Sequence, residues 1–103
     1  MWNFEYSQKY VKQYKLLSSD LQIKVKEALA SLAKSENPLK LGEYKKSLGA
    51  WAYDLDRKNR ILYNVRFNDN VIELLRVEVM VLRTVVTEVV YQNKGIGNKE
   101  NPL

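Results

Sequence analysis

Cysteine and histidine are both absent from the 103-residue chain. That removes thiol nucleophiles, disulfides, Cys/His zinc sites and the commonest general base together, so any catalysis rests on Lys, Arg, Tyr, Asp or Glu. A chain without cysteine also fits a reducing cytosol. No long uncharged apolar run is present either. The most apolar stretch, Val71 to Tyr91, carries Glu73, Arg76, Glu78, Arg83 and Glu88, too many charges for a membrane span. The start, Met1-Trp2-Asn3-Phe4-Glu5, shows neither the basic nor the apolar region of a signal peptide. The expectation is a cytoplasmic protein with no membrane association. With 46% hydrophobic and 28% charged residues, the chain is not of the weakly hydrophobic kind that stays disordered.

A chain of this length makes one domain and buries roughly two thirds of its unfolded surface. The net charge of +5 is unevenly placed: nine lysines between Lys9 and Lys46 face only Asp20, Glu27, Glu36 and Glu43, and the remainder balances to zero. Such a basic half suits an acidic partner, nucleic acid or an acidic protein segment, and solvated helix faces account for it equally well.

Trp2, Phe4 and Tyr6 alternate with Asn3 and Glu5, the period of a short half-buried strand. Ser7 then caps a helix with Tyr10, Tyr14 and Leu17 on one face. Ser18-Ser19-Asp20 interrupts it, and Ser19 with Gln22 reads as the capping box of a second helix, whose apolar stripe is Leu21, Val25, Ala28, Leu29 and Leu32. Ser35 to Gly42 reads as a loop around Asn37-Pro38. Trp51, Tyr53 and Leu55 alternate against Ala52, Asp54 and Asp56, Arg57-Lys58-Asn59 reads as a hairpin turn, and strands follow over about Arg60 to Phe67 and Val71 to Val77, separated by Asn68-Asp69-Asn70. The result is an α+β fold: short N-terminal strand, helical hairpin, then an antiparallel meander, together forming a twisted, antiparallel four-stranded sheet. From Glu78 to Tyr91 no residue turns the chain, although strands rarely exceed about ten residues, so a break is expected near Glu78. Residues 1–91 form the domain and 92–103, with Gly95, Gly97 and Pro102, a flexible polar tail.

The segment Leu48-Gly49-Ala50-Trp51 through Arg60-Ile61-Leu62-Tyr63, preceded by Asn37-Pro38-Leu39, resembles the RelE/ParE superfamily of type II toxin–antitoxin toxins. The likeness spans about Phe4 to Val77 and includes the order of elements. It implies an inhibitor of translation: RelE-like members cut messenger RNA in the ribosomal decoding site, whereas ParE-like members share the fold and poison DNA gyrase. Both are held inactive by a cognate antitoxin. RNA cleavage of this kind uses the substrate's 2′-hydroxyl and implies no metal or cofactor; the protein orients the RNA, moves two protons and neutralises phosphate charge.

On this resemblance Arg60 is the catalytic candidate, a guanidinium able to fork onto phosphate oxygens. Tyr63 lies on the opposite strand face from Arg60 and reads as core. Lys45, Lys46, Arg57, Lys58 and Arg76 are candidate RNA-binding residues, with solvated surface charge the competing account of each. The chain also departs from the pattern. Ala52, Asp54 and Asp56 stand where RNA-cutting members often carry basic residues, and carboxylates there repel phosphate. Glu78-Val79-Met80 stands where related members read Gly-Ser-His. Val77 to Val81 has codon spellings that give Gly-Ser-His one base out of register, which implies a nucleotide lost near Val77. Two functions follow: a RelE-type ribosome-dependent mRNA endonuclease, catalytically impaired, or a non-enzymatic ParE-like or disarmed toxin acting by binding gyrase or antitoxin.

Overall fold

The computed structural model describes residues 1–79, with the backbone of 94–96 and 99–102. Asn3–Tyr6 is strand β1, Gln8–Leu16 helix α1 and Ser19–Lys34 helix α2. A 3₁₀ turn at Pro38–Leu41 leads to β2 at Glu43–Lys45, and a second at Lys46–Leu48 to β3 at Ala50–Asp54. Then come β4 at Asn59–Arg66 and β5 at Val71–Val79. These strands form one five-stranded sheet in the order β1-β5-β4-β3-β2. A separate antiparallel pair joins β6, Lys94–Ile96, to β7, Lys99–Pro102. The boundary expected between 91 and 92 lies outside the described residues.

Helix α1 begins as its sequence dictates, with the Ser7 hydroxyl accepting from the Tyr10 N–H at 2.9 Å and donating to the Leu75 carbonyl at 2.6 Å. The second cap falls one residue earlier than expected. Ser18, not Ser19, accepts from the Leu21 N–H, and the Gln22 amide turns back to donate to the Tyr14 carbonyl at 2.8 Å, which also accepts from the Leu17 N–H at the end of α1. The helical hairpin lies on one face of the sheet, where Tyr10, Val25, Ala28 and Leu32 meet Ile61, Tyr63, Ile72, Leu74 and Val77 in the main core.

Three features correct the sequence reading. The sheet gains a fifth strand, β2, whose three residues Glu-Tyr-Lys show no apolar alternation; it pairs antiparallel with β3. The N-terminal strand runs parallel to β5, Phe4 opposite Ile72. Strand β5 runs two residues past the expected end at Val77, with Glu78 and Val79 in register with Arg60 and Asn59, and the break expected near Glu78 falls at the limit of the described residues. The reading-frame expectation concerns residues from Glu78 on; of these, Glu78 and Val79 complete β5, and 80–93 lie outside the described residues.

A register shift between β4 and β5 decides which side chains the second sheet face displays. Tyr63 pairs with Leu74 and Leu62 with Arg76, so Leu75 is an extra, bulged residue. Without it, strict alternation would place Arg76 and Glu78 on the same side as Ile72 and Leu74, under the helices. With it, Val77 enters the core while Arg76 and Glu78 turn to the open face, where Leu75 and Leu48 pack against a small cluster of Ala50, Ala52 and Leu62.

Candidate nucleic-acid interface

The face of the sheet away from the helices carries the polar side chains of every strand: Glu5 on β1, Glu43 and Lys45 on β2, Asp54 on β3, Arg60, Asn64 and Arg66 on β4, and Glu73, Arg76 and Glu78 on β5. The pairings Asp54 opposite Arg60, Arg60 opposite Glu78, and Asn64 opposite Glu73 fix this side.

Arg60 stands at the centre of one end of this face. Its Nε donates to Glu78 Oε1 at 2.7 Å, Nη2 donates to the same oxygen, and Arg76 Nη2 donates to the other, Oε2, at 3.3 Å. Arg60 is only 16% exposed along its side chain and Glu78 25%, so the pair is screened less than a surface ion pair. The next pair on the same face is the buried Ala52 and Leu62. Asp54 flanks Arg60 from the other neighbouring strand. Two guanidiniums thus converge on one carboxylate, with a second carboxylate next to them.

A second network occupies the opposite end. Arg66 donates to Glu5 at 3.0 and 2.7 Å, to Asp69 at 2.9 Å and to Glu73. The hydrogen bonds from Arg66 hold the Glu5 carboxyl below its usual range, and the three carboxylates raise the guanidinium further above its own.

The expected RNA-binding residues are therefore only partly gathered. Arg60 and Arg76 are brought together, as the strand order requires. Arg57 and Lys58 are exposed at the tip of the β3–β4 turn, at the same end of the sheet as Arg60. Asp56 organises that turn, accepting from the Lys58 and Asn59 N–H groups at 2.8 Å each, and the Lys58 bond leads in pulling its carboxyl down to about 2. Lys45 shares the face but pairs with Glu43 at 3.2 Å. By strand spacing it lies roughly 16 Å from Arg60. Lys46 is exposed in the adjoining 3₁₀ turn. Tyr63 is fully buried on the helix side, its hydroxyl donating to the Pro38 carbonyl at 2.7 Å and pushed up to about 12 by burial.

Sequence reasoning missed Glu78 and Arg66 as partners on this face, and it read Tyr6 as a strand residue and Tyr10 and Tyr14 as part of a helix stripe, without joining them. Tyr6, Tyr10 and Tyr14 stack as a ladder, with centroids 5.6 and 6.2 Å apart. With Val11, Leu29 and the aliphatic stems of Lys15 and Lys26 they line a groove of about 390 Å³ on the helical hairpin. The i, i+4 spacing of Tyr10 and Tyr14 was the available signal.

Comparison with solved structures identifies the architecture as that of RelE toxins. The isolated RelE toxin of E. coli superposes with a TM-score of 0.70 at 16% identity, over 85% of this chain and 94% of that one. The YoeB–YefM complex of Staphylococcus aureus gives 0.61 at 21% identity, over 79% and 99%, and the RelE–RelB complex of the archaeon Pyrococcus horikoshii 0.60 at 19%, over 76% and 93%. No protein-family model and no curated protein matches the sequence. The likeness is one of fold.

Proposed function

We propose that this chain is the toxin half of a type II toxin–antitoxin pair, a cytoplasmic RelE-type protein whose open sheet face meets ribosome-bound messenger RNA at Arg60. The observation that carries this reading is the placing of Arg60 beside Arg76 on the face of a RelE-like sheet that no helix covers among the described residues. In this role Arg60 would fork onto the scissile phosphate and neutralise the charge that grows as the 2′-hydroxyl attacks, with Arg57 and Lys58 holding the adjoining backbone.

The same geometry favours a second reading. Glu78 and Asp54 stand on either side of Arg60, and carboxylates outnumber cations on the open face among the described residues, so a form that works only by binding protein, gyrase or antitoxin, follows if Glu78 is never displaced.

Either form needs a neutralising partner, and solved structures with this fold include complexes with the antitoxins RelB and YefM. The tyrosine-lined groove supports an acidic, partly helical segment as that partner here. Helices α1 and α2 carry Lys9, Lys12, Lys15, Lys24, Lys26 and Lys34 against Asp20 and Glu27 only, and an amphipathic helix can cover the apolar groove while its acids meet the rim lysines. Co-expression with the product of the neighbouring open reading frame tests this. A salt-sensitive complex that relieves growth arrest is expected, and failure to recover any complex would contradict the toxin reading.

A further inference from the structure

Glu78 makes the contact that a nucleic-acid phosphate would be expected to make. Its two oxygens are divided between Arg60 and Arg76, an arrangement that presents one negative charge and two acceptors to two guanidiniums. A phosphodiester offers the same: one charge shared by two non-bridging oxygens. A phosphate dianion fits less well, because Asp54 lies opposite Arg60 on the neighbouring strand and repulsion grows with ligand charge.

The arrangement is produced by a single backbone irregularity. The Leu75 bulge turns Arg76 and Glu78 out together, and the cross-strand register sets Glu78 against Arg60. Beside them on the same face Ala52 and Leu62 are buried, an apolar setting that strengthens whichever anion sits there. Glu78 is still a quarter exposed and precedes Val79, itself 58% exposed, so its side chain has solvent into which to swing.

We propose that Arg60 and Arg76 form a phosphodiester-binding site and that Glu78 is its internal competitor, holding the place of the RNA phosphate until it is displaced. The proposal rests on the reading of Arg60 as the phosphate contact, and it adds the residue that controls access to it. The consequence is a protein whose affinity for RNA is set by one carboxylate: neutralising Glu78 exposes both guanidiniums, while Asp54 continues to discriminate against dianions.

The test follows the Arg60 Nε–H resonance and the anisotropy of a labelled oligouridine in the wild-type chain, Glu78→Gln, Glu78→Thr and the double variant Arg60→Ala/Glu78→Gln. Glu78→Gln should bind the oligonucleotide about tenfold more tightly, the equivalent of one charge-assisted hydrogen bond. Its affinity should fall more steeply with salt, by about one unit of log–log slope. The double variant should lose the gain. Dimethyl phosphate should shift the Arg60 resonance in Glu78→Gln and leave the wild type unmoved at the same concentration.

Folded Glu78 variants with wild-type affinity would overturn the proposal. So would unfolding of both single variants, which would make Glu78 a structural strut. A gain that survives loss of Arg60 would place RNA elsewhere and defeat the reading on which the proposal rests. A response of Arg60 to dimethyl phosphate without any effect on translation would keep the site and remove the ribosomal function.

Discussion

Tyr63 shows how one polar atom organises the approach to the sheet. Its buried hydroxyl donates to the Pro38 carbonyl, so Tyr63→Phe removes that bond and should cost about 1 kcal/mol in urea unfolding. Gly42 lies against the same ring because no Cβ fits there: one would stand 2.8 Å from the Ala52 carbonyl oxygen and would overlap the Tyr63 hydroxyl. Gly42→Ala should therefore destabilise the chain, and by less in the Tyr63→Phe background, a coupling that a double-mutant cycle measures. Asp56 acts through pH. Its folded pKa of about 2 lies below its usual 3.8, so the stability it contributes is present above about pH 4 and is lost as pH falls toward 2. Melting temperatures across that window should fall more for the wild type than for Asp56→Ala. The inward face of Tyr63 was legible from its parity with Arg60 and Ile61. Its partner was not, because Pro38 reaches it through a turn that only the folded sheet positions.

Among the elements, β5 holds the information that alternation alone misreads. The apolar doublet Leu74-Leu75 is the trace of its bulge, the point where the inward parity passes from even to odd numbers. Counting outward from the Asn68–Asn70 turn without that bulge sets Val77 against Arg60; the bulge substitutes Glu78. Pairing with β1 covers only Val71 to Leu74, and beyond it α1 takes over the exposed edge: Ser7 satisfies the Leu75 carbonyl, and Gln13 Oε1 accepts from the Val77 N–H at 2.7 Å. Gln13→Ala should cost about 1 kcal/mol, the usual net worth of such a bond, and speed amide exchange at Val77 more than at Ile61. The helices were readable because their stripes and serine caps are local. With Ser18, Ser19 and Asp20 in a row, the Ser19–Gln22 spacing drew the second cap one residue too late, and the parallel pairing of β1 depends on residues some seventy positions away.

Across the whole molecule, charge is divided by layer. The helical layer is lysine-rich around an apolar groove, while the open sheet face holds its arginines in carboxylate networks, Arg60 with Glu78 and Arg66 with Glu5, Asp69 and Glu73. Summed charge shows a basic half and cannot show this division, because Glu78 lies 18 positions from Arg60 and Glu5 61 positions from Arg66. On the proposed reading, an acidic protein partner would meet the helices and RNA the end of the sheet where Arg60 lies, with Glu78 between RNA and its site. The most direct measurement is cleavage of ribosome-bound message in a purified translation system, comparing the wild-type chain, Glu78→Gln, and Glu78→Gln combined with Arg60→Ala. The account predicts more cleavage by Glu78→Gln than by the wild type and loss of that cleavage without Arg60. Cleavage that is equal in all three, or absent even when Glu78 is neutralised in a folded chain, would contradict it.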